Sequence, residues 1–85
     1  MKTLHLYGEV DEEMYRDCVT FLGKGLPDLV LLHTQGGDFY VGLAIYDLLK
    51  PHNLTIKATG ACMSAGVMIY CAGKTRLATP STQFM

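Results

Sequence analysis

The stretch DLVLLHTQGGDFYVGLAIYDLL, residues 28–49, decides the fold class of this chain. Its apolar run at residues 28–32 predicts a strand that is buried on both faces. Gly36-Gly37 ends this strand, because a glycine pair commonly marks a turn. Residues 39–49 then carry apolar side chains at helical spacing, so the stretch predicts a strand, a tight turn and a helix.

The same strand-and-helix unit repeats on both sides of this stretch. Further strands are predicted over residues 3–7, 54–59 and 74–78, and further helices over residues 11–22, capped by Asp11, and 63–71. Alternating strands and helices are typical of an α/β fold with right-handed crossovers and a mostly parallel sheet. Another alternating run begins at residues 82–85 and then stops. We therefore expect residues 1–85 to form one α/β domain that is the N-terminal part of a larger fold.

The composition of the chain excludes several classes of protein. Of its 85 residues, 49% are hydrophobic, which excludes intrinsic disorder. The formal net charge of −1 gives no support for a nucleic-acid binder, which would show a basic face. The N-terminus lacks a signal-peptide pattern, and no apolar stretch is long enough to span a bilayer. We therefore expect a cytoplasmic protein that binds neither nucleic acid nor membrane.

The three cysteines, Cys18, Cys62 and Cys71, predict neither a disulfide framework nor a zinc site. Their number is odd, and no Cys-x-x-Cys pair occurs among them. Buried free thiols in a reducing compartment are the expected arrangement. No metal and no cofactor is predicted.

The first glycine-rich junction, residues 35–42, follows a predicted strand and precedes a helix. It is not a phosphate-binding P-loop, because Gly42 is followed by Leu43 and Ala44 rather than by Lys and Ser or Thr. The dinucleotide fingerprint Gly-x-Gly-x-x-Gly is absent as well. Two interpretations remain: an ordinary strand-to-helix turn, or a turn whose backbone N–H groups face an anion or a developing oxyanion.

The second glycine-rich junction, residues 60–66, contains Ser64 at the start of an apolar helix. A serine in this place can be a nucleophile, because backbone N–H groups at a helix start stabilise negative charge. It can equally be a structural serine that bonds the backbone. The Gly-x-Ser-x-Gly elbow of α/β-hydrolases is matched only loosely, because Cys62 occupies the position of its first glycine.

Taken together, the two junctions resemble those of the Clp protease proteolytic subunit. The segments that carry the resemblance are residues 32–47, 60–64 and 72–80. They are similar, in order and spacing, to that family's Asn-Ser-Pro-Gly-Gly…Gly-x-Ala-Ile-Tyr-Asp signature, its Gly-x-Ala-x-Ser motif and its Ala-Gly…Lys-Arg…Leu-Pro segment. The resemblance covers nearly the whole chain and implies a crotonase-like α/β fold with a mostly parallel sheet.

The resemblance also implies roles for individual residues. Ser64 matches the catalytic nucleophile of a serine endopeptidase. The backbone N–H groups of Gly37 and Ala65 match the oxyanion hole, and the substrate-binding turn corresponds to Gly36, Gly37 and Asp38. No cofactor is implied.

The general base of the family has no counterpart within this sequence. The family's catalytic histidine and aspartate would lie beyond Met85, so we expect the 85-residue chain to be inactive by itself. His33 stands where the family has asparagine, and Thr34-Gln35 replaces Ser-Pro. We interpret His33 as a polar residue at a strand end rather than as a substitute base, because a general base must reach the nucleophile.

The resemblance further implies polypeptide substrates, which the family degrades inside homo-oligomeric rings, and a Clp-type AAA+ ATPase as a potential partner. The chain begins at the first core strand, so we expect the ATPase-docking segment to be missing. Three alternatives stay open: a phage head-maturation (prohead) protease of the same fold, a signal peptide peptidase relative with a Ser-Lys pair, and a non-catalytic crotonase-fold ring subunit or acyl-coenzyme A binder.

Overall fold

The computed structural model describes all 85 residues and has the strand-and-helix order that the sequence predicts. Its strands are β1 (Thr3–Tyr7), β2 (Leu29–Thr34), β3 (Thr55–Cys62), β4 (Thr75–Ala78) and β5 (Gln83–Phe84). Its helices are α1 (Glu12–Leu22), α2 (Phe39–Leu49) and α3 (Ala65–Tyr70), with a 3-10 turn at Lys50–His52 after α2. The predicted α/β class is confirmed.

The five strands form one parallel sheet in the spatial order β1-β2-β3-β4. β5 also runs parallel and pairs with the last part of β3, where Ala61 lies opposite Gln83 and Cys62 opposite Phe84. The carboxyl ends of the strands therefore meet at one edge of the sheet. In open α/β sheets, binding and catalysis concentrate at this edge.

The core lies between the sheet and the three helices, on one face of the sheet only. In β2, the buried residues Val30, Leu32 and Thr34 alternate with residues that are only half-buried. The expectation that this strand is buried on both faces is therefore wrong. Because the strand order never reverses, successive right-handed crossovers place all three helices on the same face.

Among the element boundaries that differ from those predicted, two lie next to Ser64. β3 continues through Gly60 to Cys62, because Gly60 takes φ +70°, a conformation that a glycine adopts at little cost. α3 begins at Ala65 rather than near Met63, because Ser64 has φ 54° and ψ −123°, which is not helical. The Asp11 cap of α1 is confirmed, since its carboxylate accepts a hydrogen bond from the Met14 N–H at 2.9 Å.

No helix combines the length and the apolar character that crossing a membrane requires. All three cysteines are free thiols, and no group of His, Cys, Asp and Glu side chains is arranged to hold a metal ion.

Candidate active site at the carboxyl ends of β2 and β3

Ser64 stands at the corner between β3 and α3 in a backbone conformation that few residues adopt. Its φ of 54° lies in the left-handed region, and its side chain makes no capping hydrogen bond to the helix. The residue is exposed, whereas Cys62 and Ala65 close to it in sequence are buried. Strained, exposed residues of this kind concentrate at functional sites. The alternative of a capping serine is not what the structure shows.

Backbone hydrogen bonds hold this corner from two sides. The Met63 N–H donates to the Thr34 carbonyl at 3.1 Å, which ties the corner to the end of β2. The Ser64 N–H donates to the Met85 carbonyl at 2.7 Å, which ties it to the end of the chain. The nucleophile candidate is therefore fixed by its main chain, and its hydroxyl is left unused.

The Gly36-Gly37 turn after β2 lies directly against Ser64. A Cβ atom at Gly36, where φ is +111°, would lie 2.8 Å from the Ser64 Cβ and 3.4 Å from its Oγ. Only glycine fits this space, since real Cβ atoms do not approach other carbons so closely. The two glycine-rich junctions are 28 residues apart in sequence, counted from Gly36 to Ser64, and thus lie in contact as one candidate site.

The other side of the turn is clamped by Val10, in the loop between β1 and α1. The Val10 N–H donates to the Gly36 carbonyl at 2.9 Å, and the Asp38 N–H donates to the Val10 carbonyl at 2.8 Å. A Cβ atom at Gly37, where φ is +150°, would collide with the Val10 carbonyl oxygen. The sequence contains no signal for this clamp, because it is made entirely of backbone atoms.

Two backbone N–H groups in the junctions that meet at Ser64, one in the glycine turn and one directly after Ser64, have no acceptor in the chain. Neither the Gly37 N–H nor the Ala65 N–H donates a hydrogen bond. Ala65 is the first residue of α3, and the first N–H groups of a helix have no partner within it. Unpaired, rigidly held donors next to a hydroxyl are the arrangement that stabilises an oxyanion.

Asp38 begins α2, and its carboxylate serves the helix. Its Oδ1 accepts from the Tyr40 N–H at 2.9 Å and from the Val41 N–H at 3.2 Å. This side chain therefore caps α2, and the Asp38 N–H is bonded to the Val10 carbonyl.

None of the three histidines is directed to Ser64 by a hydrogen bond. The His33 Nδ1 lies 2.8 Å from the Thr59 carbonyl oxygen and 3.1 Å from the Ala61 nitrogen, so the ring is held by β3. His5 packs edge-on against Tyr7 in β1, and His52 lies in the 3-10 turn before β3. The interpretation of His33 as a strand-end residue agrees with these contacts.

A polar cleft of about 310 Å³ opens beside the Gly36-Gly37 turn. Its lining contains no apolar side chain and consists of Gly8, Glu9, His33, Thr34, Gln35, Gly36 and Gly37. Glu9 was not identified from the sequence, because the loop before α1 shows no motif. The one feature that could have identified Glu9 is its position just after β1, at the same sheet edge as the other residues of the site.

The thiol nearest to Ser64 in sequence, Cys62, is not a competing nucleophile. Burial, and to a lesser degree the nearby Cys71, raises the pKa of Cys62 to about 11, and its Sγ contacts the Gly66 carbonyl at 3.4 Å. At neutral pH it is a protonated thiol, and the thiolate is the reactive form. Ser64 is thus the nucleophilic side chain that this corner presents to solvent.

Comparison with known proteins identifies a family and a fold for this chain. The family model described as Clp protease matches residues 1–85. ATP-dependent Clp protease proteolytic subunit 3 from Rhodococcus jostii (strain RHA1) is 38% identical over 80 residues, a match that covers 85% of this chain and 40% of that protein. ClpP1 from Listeria monocytogenes superposes with a TM-score of 0.86 at 28% identity, and its N165D mutant with 0.81 at 28% identity. Each superposition covers 98% of this chain and 54% of the other. The chain therefore spans about half the length of these relatives, or less.

Proposed function

Because the chain belongs to the Clp protease family, we infer that it carries the nucleophile half of a serine endopeptidase site, with Ser64 as the nucleophile. One observation supports this most directly: an exposed serine with an unused hydroxyl stands in a strained conformation against the Gly36-Gly37 turn. A structural serine would bond the backbone, and this hydroxyl has no such partner. The same fact weighs against a non-catalytic ring subunit.

The chemistry proposed for this site is acyl transfer. The Ser64 Oγ attacks the carbonyl carbon of a peptide bond, and the carbonyl oxygen becomes an oxyanion. The N–H groups of Gly37 and Ala65, which have no other acceptor, donate to that oxygen. The substrate backbone lies along Gly36, Gly37 and Asp38. No cofactor takes part in this reaction.

The proton of Ser64 needs a base from outside residues 1–85. His33 is held by β3, and no other histidine lies at this corner. The Met85 carbonyl bonds the Ser64 N–H, so chain that follows Met85 in the longer relatives would begin beside the nucleophile. Removal of the histidine from a serine-protease triad costs roughly a millionfold in turnover. The 85-residue chain alone is therefore expected to show no measurable peptidase activity.

The properties of the whole protein follow from the family as proposals. The substrates are polypeptides, the assembly is a homo-oligomeric ring that encloses the sites, and the partner that delivers substrates is a Clp-type AAA+ ATPase. A cytoplasmic location fits this role.

The test uses a chain that continues past Met85 through the family's histidine and aspartate. A fluorophosphonate probe should label the wild-type protein at Ser64, and Ser64→Ala should abolish the labelling. Ser81→Ala is the matched control, because Ser81 is the only other serine within residues 1–85, is exposed and lies in a turn outside the site. Labelling that persists in Ser64→Ala would refute the assignment.

A further inference from the structure

The pairing of β2 with β3 changes register just before the nucleophile. Leu32 lies opposite Ala58, but the next pair is Thr34 with Cys62. Two residues on β2 thus face four on β3, so β3 contains two extra residues and bulges at Thr59–Ala61. A bulge of this kind re-aims the chain that follows it. Here the residues that follow the bulge form the corner between β3 and α3 that carries Ser64.

The side chain of His33 occupies the space opposite this bulge. Its Nδ1 lies 2.8 Å from the Thr59 carbonyl oxygen and 3.1 Å from the Ala61 nitrogen. A Cβ atom at Gly60 would lie only 2.7 Å from the same nitrogen, so the glycine and the imidazole fit against each other. The other flank of the ring packs on Tyr7 of β1, with the ring centroids 5.6 Å apart.

We propose that His33 is a positioning residue: by bonding the backbone of the β3 bulge, it sets where Ser64 stands relative to the Gly36-Gly37 turn. This inference rests on the proposed function for its catalytic consequence. The bulge ends at Ala61, three residues before Ser64. A displacement of about 1 Å at a reacting group can cost roughly a hundredfold in rate.

The hydrogen-bond inventory of the side chain determines which substitution can replace it. A single Nδ1 either donates to the Thr59 carbonyl or accepts from the Ala61 N–H, according to its tautomer. An asparagine amide offers a donor and an acceptor at once and can serve both groups. An aspartate can only accept, and a leucine can do neither. His33→Asn should therefore retain the bulge, whereas His33→Asp and His33→Leu should loosen it.

The first measurement is amide hydrogen exchange by NMR in the 85-residue chain and its variants. In His33→Leu, the Ala61 and Ser64 amides should exchange at least tenfold faster, while the Leu6 amide in β1 should keep the wild-type rate. His33→Asn should match the wild type at all three amides. Should His33→Leu fail to fold, the comparison of His33→Asn with the nearly isosteric His33→Asp decides. An aspartate still accepts from the Ala61 N–H, but its carboxylate has no proton to donate to the Thr59 carbonyl oxygen and is repelled by it. The displaced corner should therefore show at the Ser64 amide, and equal exchange at Ser64 in these two variants would overturn the proposal.

The second measurement is the rate of fluorophosphonate labelling at Ser64 in the chain that continues past Met85. His33→Leu should lower this rate by about a hundredfold, in line with a misplaced nucleophile, and His33→Asn should stay within about threefold of the wild type. Unchanged labelling of His33→Leu would overturn the proposal. The exchange measurement needs no chemistry at Ser64. A wild type that is not labelled would therefore refute the proposed function, while the role of His33 in the bulge would stand or fall on exchange alone.

Discussion

The contact between α3 and the end of β2 leads to a sharp prediction about Gly66. A Cβ atom at Gly66 would overlap the Cγ2 of Thr34, and the next atoms, the Thr34 Cβ and carbonyl oxygen, lie at ordinary distances of 3.7 and 3.8 Å. Thr34 cannot easily move, because it is 1% exposed and its Oγ1 accepts from the Gly36 N–H at 3.0 Å. The Cγ2 methyl group of Thr34 is therefore the only group that an added Cβ at Gly66 would overlap.

The expected changes in the free energy of unfolding follow from this single steric overlap. Gly66→Ala gains about 1 kcal/mol of helix propensity but pays about 1–3 kcal/mol for overpacking, so it should destabilise the fold by about 1 kcal/mol. Thr34→Ser removes only Cγ2, keeps the hydroxyl that bonds the Gly36 N–H, and should cost about 1 kcal/mol for the lost buried methyl. In the double variant, the new methyl occupies the space of the old one. Its stability should return to the wild-type value, which is a coupling of about 2 kcal/mol.

The assay is urea unfolding followed by circular dichroism, with the four free energies of unfolding combined as a double-mutant cycle. Gly23→Ala is the matched control, because a Cβ at Gly23 meets its nearest atoms at 3.4 and 3.5 Å and its φ is −64°. Gly23→Ala should combine additively with Thr34→Ser. If Gly66→Ala and Thr34→Ser were also additive, the packing described for this corner would be wrong.

Three further predictions concern the helix cap, the dependence of stability on pH and the reactivity of the thiols. Asp38→Ala should lower the free energy of unfolding by about 1 kcal/mol, while Asp38→Asn, which keeps the capping oxygen, should change thermal stability little. Burial, aided by Asp17, raises the pKa of Cys18 to about 12, and Cys62 lies at about 11, against the ordinary 9.0. The folded state therefore holds protons that the unfolded state releases, so stability should be complete below pH 9 and should fall as the pH rises toward 11 and 12. Cys18→Ala should flatten this fall in unfolding curves recorded across that range. Iodoacetamide at neutral pH should modify the half-buried Cys71 first, and mass spectrometry showing Cys18 modified as fast would contradict the burial described.

Local patterns were sufficient to predict the order of the elements and the two glycine-rich junctions that meet at the candidate site. An acidic residue before a helix predicts the Asp11 cap, and a glycine pair after a strand predicts the turn at Gly36-Gly37. The sequence also places Ser64 at the start of a helix, although its residue type leaves open whether it is a nucleophile or a structural serine. The rule that function gathers at the carboxyl ends of parallel strands then brings the glycine turn and Ser64 together. The structure agrees with the order of the elements, with the Asp11 cap and with the contact between the Gly36-Gly37 turn and Ser64.

The features that were not predicted depend on contacts between residues far apart in sequence or on the order of the strands in the sheet. Val10 clamps the glycine turn through its N–H and carbonyl, which every residue but proline has, so its side chain gives no indication. The bulge at Gly60 depends on the imidazole of His33 from another strand. The one-sided burial of β2 follows from a strand order that never reverses, which no single stretch records.

The hydrogen bonds around Ser64 also constrain how the site assembles during folding. They join position 10 to 36, position 63 to 34 and position 64 to 85, so none can form within a single helix or a single turn. Contacts between distant positions form slowly, because the loops between them must close first. The helices can therefore form early, while the corner at Ser64 is completed only after the sheet has closed. On the ribosome, the hydrogen bond from the Ser64 N–H to the Met85 carbonyl cannot form until Met85 has emerged. A nascent chain would therefore expose Ser64 before this bond could hold its strained conformation.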